Sequence, residues 1–96
     1  MSNYAFTPEA LEDLDNIVLY TLTKWGKSQA KNYVDNLNLL ASRLAETPQL
    51  GRPRNELYDV LYSFPYASHI IYYILSIKGI TIVRVLHKNM DKTKHF

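Results

Sequence analysis

Ninety-six residues, 47% of them hydrophobic, suffice for one folded domain, residues 1–96, with little room for a second core. Cysteine is absent, which excludes disulfides and thiolate metal sites, and no window approaches the apolar length of a membrane span. The net charge of +2 is unevenly placed: residues 1–46 carry six acidic and four basic side chains, residues 47–96 three and seven. A basic second half points to an anionic partner, nucleic acid or an acidic protein segment, with a plainly solvated surface as the competing reading. The opening residues MSNYAF lack the charged-then-apolar pattern of a signal peptide, so a cytoplasmic protein is expected.

Tyr4-Ala5-Phe6 alternates aromatic and small residues and reads as a short edge or joining strand. Thr7-Pro8-Glu9 is a helix start: Thr can cap, Pro suits the first helical position, and Glu favours the positive end of the dipole. Leu11, Leu14, Ile17, Val18, Leu22 and Trp25 recur at helical spacing, and Gly26 supplies a stop, so a first helix is expected over Pro8–Trp25 with Trp25 in the core. Ser28 is a candidate cap for a second helix, whose stripe is Ala30, Tyr33, Val34, Leu37, Leu40, Ala41 and Leu44. Thr47-Pro48 ends it. So short a connection makes the two helices an antiparallel hairpin.

Gln49–Asn55 has no periodicity and reads as a loop carrying Arg52 and Arg54. Leu57–Phe64 reads as a strand closed by Pro65. His69–Lys88 holds two runs dense in Ile, Val, Leu and Tyr around Lys78-Gly79, a hairpin whose turn uses the freedom of glycine. Beyond His87 the chain is polar and basic and reads as a tail or a short terminal turn. The expected fold is α+β, in the order β-α-α-β-β-β. The helical hairpin covers one face of a small, mainly antiparallel sheet and leaves Tyr and Ile side chains on the other.

This order and its local wording resemble the ParE/RelE superfamily of small bacterial type II toxins, and the ParE branch in particular. The matching residues are Tyr4, Thr7-Pro8-Glu9-Ala10, Asp13-Leu14, Ile17, Tyr20, Trp25-Gly26, Gln29-Ala30, Tyr33, Leu44-Ala45 and Pro48. Gly51-Arg52-Pro53-Arg54, Tyr73, Ile82-Val83-Arg84-Val85-Leu86-His87 and Met90-Asp91 complete the set. The resemblance spans nearly the whole chain. It implies a toxin held in a hetero-oligomer by a ParD-like antitoxin of the ribbon-helix-helix type, as in plasmid stabilisation systems, with DNA gyrase as target and no enzymatic step. RelE-type relatives instead cut messenger RNA on the ribosome, and some relatives keep only antitoxin binding.

A RelE-like nuclease needs cations on a crowded phosphate and a group to move protons. Here Arg52, Arg54 and Arg84 are the candidates for phosphate, and His87 for the proton. In a regular strand Ile80, Ile82, Arg84 and Leu86 share one face while Thr81, Val83, Val85 and His87 share the other, so Arg84 and His87 diverge unless a bulge intervenes. Read structurally instead, His87 closes a strand end and Arg84 pairs with Asp59 or Glu56. The partner-binding set is Arg52, Arg54, Tyr58, Tyr73, Arg84, His87 and Lys88. His69, His87 and His95 have no metal-site spacing, and no phosphate loop or serine elbow occurs, so neither metal nor cofactor is expected.

Overall fold

The computed structural model describes residues 3–90 and 92–96. The elements are β1 (Asn3–Phe6), α1 (Pro8–Trp25), α2 (Lys27–Glu46), β2 (Arg52–Pro53), β3 (Leu61–Tyr66), β4 (His69–Ser76) and β5 (Gly79–His87). Single 3-10 turns lie at Pro48–Leu50 and Lys92–Lys94. The sheet order is β1-β5-β4-β3-β2, with β1 parallel to β5 and every other pair antiparallel. Among the described residues no helix is long and apolar enough to cross a membrane.

The first helix starts and stops where its sequence requires. The Thr7 hydroxyl accepts from the Ala10 N–H at 3.1 Å, and Gly26 takes φ 92° at the far end. Lys27 follows at once, so Gly26 rather than Ser28 stands at the cap of α2. The buried stripe of α1 differs from the expected one. Ala10, Leu14, Ile17 and Thr21 face the sheet, whereas Leu11, Leu22 and Trp25 point outward, Trp25 being 65% exposed. Thr21 is tolerated inside because its hydroxyl donates to the Ile17 carbonyl at 2.7 Å. On α2, Ala30, Leu37, Ala41 and Leu44 are buried as their spacing requires. Truncating Leu37 or Leu44 to alanine removes a fully buried side chain, a loss of about 2–5 kcal/mol.

Between helices and sheet lies the main core, which Ile71, Tyr73, Ile80, Ile82 and Val85 share with the two helices. The opposite face is not bare. Leu61, Tyr72 and Leu86 are buried there under Leu57, Ile70, Ile74, Val83 and Phe96, so the terminal segment turns back onto the sheet. The strand expected over Leu57–Phe64 begins at Leu61 and runs through Pro65 to Tyr66. Residues before it are taken by tight turns, with Leu57 and Tyr58 N–H both donating to the Arg54 carbonyl. Pro65 fits inside β3 because β2 pairs only with Tyr62 and Ser63, leaving the outer side of β3 open beyond them.

In β5 the expected alternation breaks. Tyr72 pairs with Arg84 but Tyr73 pairs with Ile82, so Val83 and Arg84 together oppose one residue in a bulge. Ile80 and Ile82 therefore face the helices before the bulge, and Val85 after it. Leu86 joins the opposite cluster, correcting the simple two-face reading. The polar groups at the bulge are met by α1 and its cap. Thr7 Oγ1 donates to the Val83 carbonyl at 2.9 Å, and Val85 N–H donates to Asp13 Oδ2 at 3.0 Å.

Candidate functional site

Asp13 sits on the inward side of α1, three residues after Ala10 and four before Ile17. The bulge brings Arg84 to it: Nε donates to Oδ2 at 2.7 Å and Nη2 to Oδ1 at 2.8 Å, a bidentate fork. The partner of Arg84 is thus Asp13, not Asp59 or Glu56, and Asp13 holds the guanidinium firmly in its charged form. The His95 ring lies 3.3 Å from Arg84 Nη1.

Beyond this clamp opens a groove of about 910 Å3 between the facing sides of α1 and α2, the β3–β4 turn and the end of β5. Its wall is strongly aromatic, with Tyr20, Trp25, Tyr33, Tyr66, His69, His87 and Met90 exposed or half-buried around it. His69 and His87 are cross-strand partners, with ring centroids 5.5 Å apart and edge to face. Tyr33 Oη lies 3.2 Å from His69 Nδ1, and Tyr66 donates to the Tyr33 carbonyl at 2.7 Å. Burial, with His87 beside it, pushes the His69 imidazole below the usual range, while burial pushes the Tyr33 phenol upward. Asn89 N–H donates to His87 Nδ1 at 3.2 Å, orienting that ring at the groove mouth. The turn beneath holds Ala67 at φ 54°, a left-handed conformation in a non-glycine residue.

The other expected site residues are placed apart from the groove. Arg52 is exposed on β2. Arg54 donates through Nε to Ser63 Oγ at 2.9 Å and through Nη1 to Glu56 at 3.1 Å. Tyr58 is exposed in the turn before β3, next to Val60, which takes φ 59°. Tyr73 is fully buried, its hydroxyl donating to the Pro48 carbonyl at 2.8 Å, and burial pushes its pKa up to about 12. Lys88 is exposed after β5. Arg84 and His87 do not meet: Arg84 turns to Asp13, while His87 lines the groove. Among the described residues no three His, Cys, Asp or Glu side chains gather as a metal site. The groove aromatics Trp25 and Tyr33 escape a search for charged groups, since helical spacing assigns them to a core.

Sequence and fold comparison converge on one assignment. A family model described as the ParE toxin of the type II toxin-antitoxin system, parDE, matches residues 4–92. The chain belongs to the ParE toxin family. It is 32% identical over 95 residues to a protein of Caulobacter vibrioides named Toxin ParE1, covering 99% of this chain and 98% of that one. It is 34% identical over 91 residues to Toxin ParE1 of Mycobacterium tuberculosis, covering 94% and 93%. Its fold is shared with a solved chain of the chromosomal ParDE system from P. aeruginosa, at TM-score 0.73 and 19% identity over 91% and 96% of the two chains. A chain of the YoeB–YefM complex from Staphylococcus aureus follows at TM-score 0.60 and 20% identity over 91% and 97%. The protein is accordingly the toxin component of a type II toxin–antitoxin system, on a RelE/ParE-like α+β fold.

Proposed function

We propose that this ParE-family toxin acts in the cytoplasm by binding DNA gyrase, without an enzymatic step, and is neutralised by a ParD-like antitoxin of the ribbon-helix-helix type. The observation that carries the antitoxin half of this reading is the aromatic groove. Trp25 and Tyr20 stand at its edge with most of their surface in water and Met90 with about half, a concentration of apolar side chains that marks a partner site. Aromatic anchors in a desolvated groove are where binding energy concentrates. Relatives named ParE1 and a solved ParDE assembly support a hetero-oligomeric toxin–antitoxin complex.

The non-enzymatic half rests on the dispersal of the nuclease candidates. Arg84 is consumed by Asp13, and His87 lines a groove to which neither Arg52 nor Arg54 contributes. A ribonuclease needs its phosphate cations and its proton carrier on one scissile bond. The test is a purified-toxin assay of gyrase supercoiling beside primer extension on cellular messenger RNA. Inhibited supercoiling or trapped cleaved DNA with intact transcripts is the expected result. Cuts within the ribosomal A-site codon, with gyrase untouched, would overturn it in favour of a RelE-type enzyme.

A further inference from the structure

The aromatic groove holds two half-buried imidazoles whose tautomers are fixed by their hydrogen bonds. Asn89 N–H donates to His87 Nδ1, so that nitrogen bears no hydrogen and the neutral ring carries its hydrogen on Nε2. At His69 the Nδ1 meets the Tyr33 hydroxyl, which has no other partner among the described residues. Burial keeps that phenol protonated, so it donates, and the His69 hydrogen also sits on Nε2. Neither Nε2–H finds an acceptor among the described residues. A ring nitrogen that carries hydrogen cannot ligate a metal, but it can donate to an oxygen. The pair is therefore built for an acceptor.

The charges around the two rings are one-sided. The acid that α1 contributes is Asp13, already engaged by the Arg84 fork and the Val85 N–H. The residues of α2, β3 and the β3–β4 turn that line the groove carry no charge, and its other titratable side chains are the phenols of Tyr20, Tyr33 and Tyr66. Lys24, near the end of α1, stands at the rim, with Nζ 5.7 Å from the centre of the Tyr20 ring and 5.9 Å from that of Trp25. An occupant bearing a carboxylate thus meets a cation at the rim and two N–H donors within. The two rings differ as proton acceptors. A proton on His87 Nδ1 would oppose the Asn89 N–H, a backbone donor that cannot reverse. The Tyr33 hydroxyl can rotate and accept from a protonated His69 Nδ1.

We propose that the antitoxin sets an Asp or Glu carboxylate on the Nε2–H groups of His69 and His87, and that His69 takes a proton from solvent onto Nδ1 as the complex forms. This rests on the reading of the groove as the antitoxin site and adds the chemistry of its occupant. A carboxylate beside His69 opposes the burial and the His87 neighbour that hold the free imidazole down. Proton and antitoxin then each tighten the binding of the other, so affinity rises as pH falls. Calorimetric titration of the purified toxin with its cognate antitoxin at pH 6, 7 and 8, in buffers of different ionisation enthalpy, reads affinity and proton uptake together. Binding should take up protons and tighten about tenfold from pH 8 to pH 6, the effect of one pKa unit on one group. His69→Gln should abolish that dependence, while His87→Gln should weaken binding at every pH and keep the slope. Trp25→Ala, an exposed anchor away from the two rings, reports the groove itself. Proton release with weaker binding at pH 6 overturns the proposal, since it marks an apolar cover over the pair. A pH dependence that is absent, or that survives His69→Gln, overturns it too. If Trp25→Ala weakens binding in such a case, the groove still takes the antitoxin and this inference alone falls; if Trp25→Ala binds like wild type, the reading of the groove falls with it.

Discussion

Asp13→Ala removes more than one partner. The carboxylate accepts both arms of the Arg84 fork and the Val85 N–H left over by the bulge, and its side chain is largely buried, at 13% exposure against 22% for Arg84. Breaking a buried pair from one side costs about 3–5 kcal/mol, because the surviving charge stays desolvated without a partner. Partial exposure lets water reach Arg84, so the lower end, about 3 kcal/mol, is expected. In a domain of this size that lowers the melting temperature by roughly 12–24 °C. Asp13→Asn keeps an oxygen for Val85 N–H and loses only the ionic part, so about half the effect is expected. The double variant Asp13→Ala with Arg84→Met should recover most of the loss, since it leaves no orphan charge. Urea unfolding of the purified chain, read by far-ultraviolet circular dichroism, gives all four values on one scale. If Asp13→Ala falls within about 0.5 kcal/mol of wild type, the ordinary range of a neutral surface change, the clamp does not hold the bulge and the reasoning fails.

Lowering the pH from 7 to 5 should destabilise the fold through His69. Its folded pKa is depressed, so the unfolded chain binds the proton more readily and stability falls as pH drops through the ordinary histidine range and toward the folded value. His69→Gln should flatten that segment of the melting profile, and an unchanged slope would refute the role of the His69–His87 pair. Gly79→Ala should destabilise far more than Gly26→Ala. Both sit at positive φ, but a Cβ at Gly79 would collide with the Asn3 carbonyl oxygen, whereas nothing lies within 4 Å of one at Gly26. The Gly26 change should cost only the strain of its φ 92°, ψ 177° backbone, about 1–3 kcal/mol, and equal melting temperatures for the two variants would contradict the close approach of β1. Val60→Gly should raise stability by about 0.5–1 kcal/mol, as an exposed β-branched residue at φ 59° stores strain that glycine releases; a lower urea midpoint would show that Val60 packs usefully.

Much of the architecture is legible in the chain because local signals and packing agree. Thr7-Pro8 and Gly26 bound α1 as their capping chemistry requires, and the apolar hairpin around Lys78-Gly79 lies near the middle of the sheet. The larger errors have a common cause: they concern a long-range partner that periodicity does not carry. The Leu11–Leu22–Trp25 stripe is as regular as the true one, and only the sheet decides which side of α1 is buried. The bulge at Val83-Arg84 has no glycine to announce it, so the two-face reading of β5 fails halfway along the strand. Asp13 falls between the apolar positions and reads as part of the outer face, yet its carboxylate lies inward, held by a bond to Arg84 that spans 71 residues. The site was less legible than the fold, since Arg52, Arg54, Arg84 and His87 stand out by chemistry while the groove is built of residues that look like core.

The parallel pairing of β1 with β5 sets the order in which the molecule can be born. Asn3–Phe6 finds its partner only at Gly79–Ile82, so the first strand made waits for the last. The clamp between Asp13 and Arg84 closes the same long loop from the side of the helix. Until that final segment is synthesised, the helical hairpin can form but has no β5 to cover, and the groove lacks the wall that holds His87. At a synthesis rate of about 5–20 residues per second, the unfinished chain spends several seconds in this state. Non-local closure of this kind also slows folding after release. For a toxin, the delay separates translation from activity: the groove is complete only once β5 has been made.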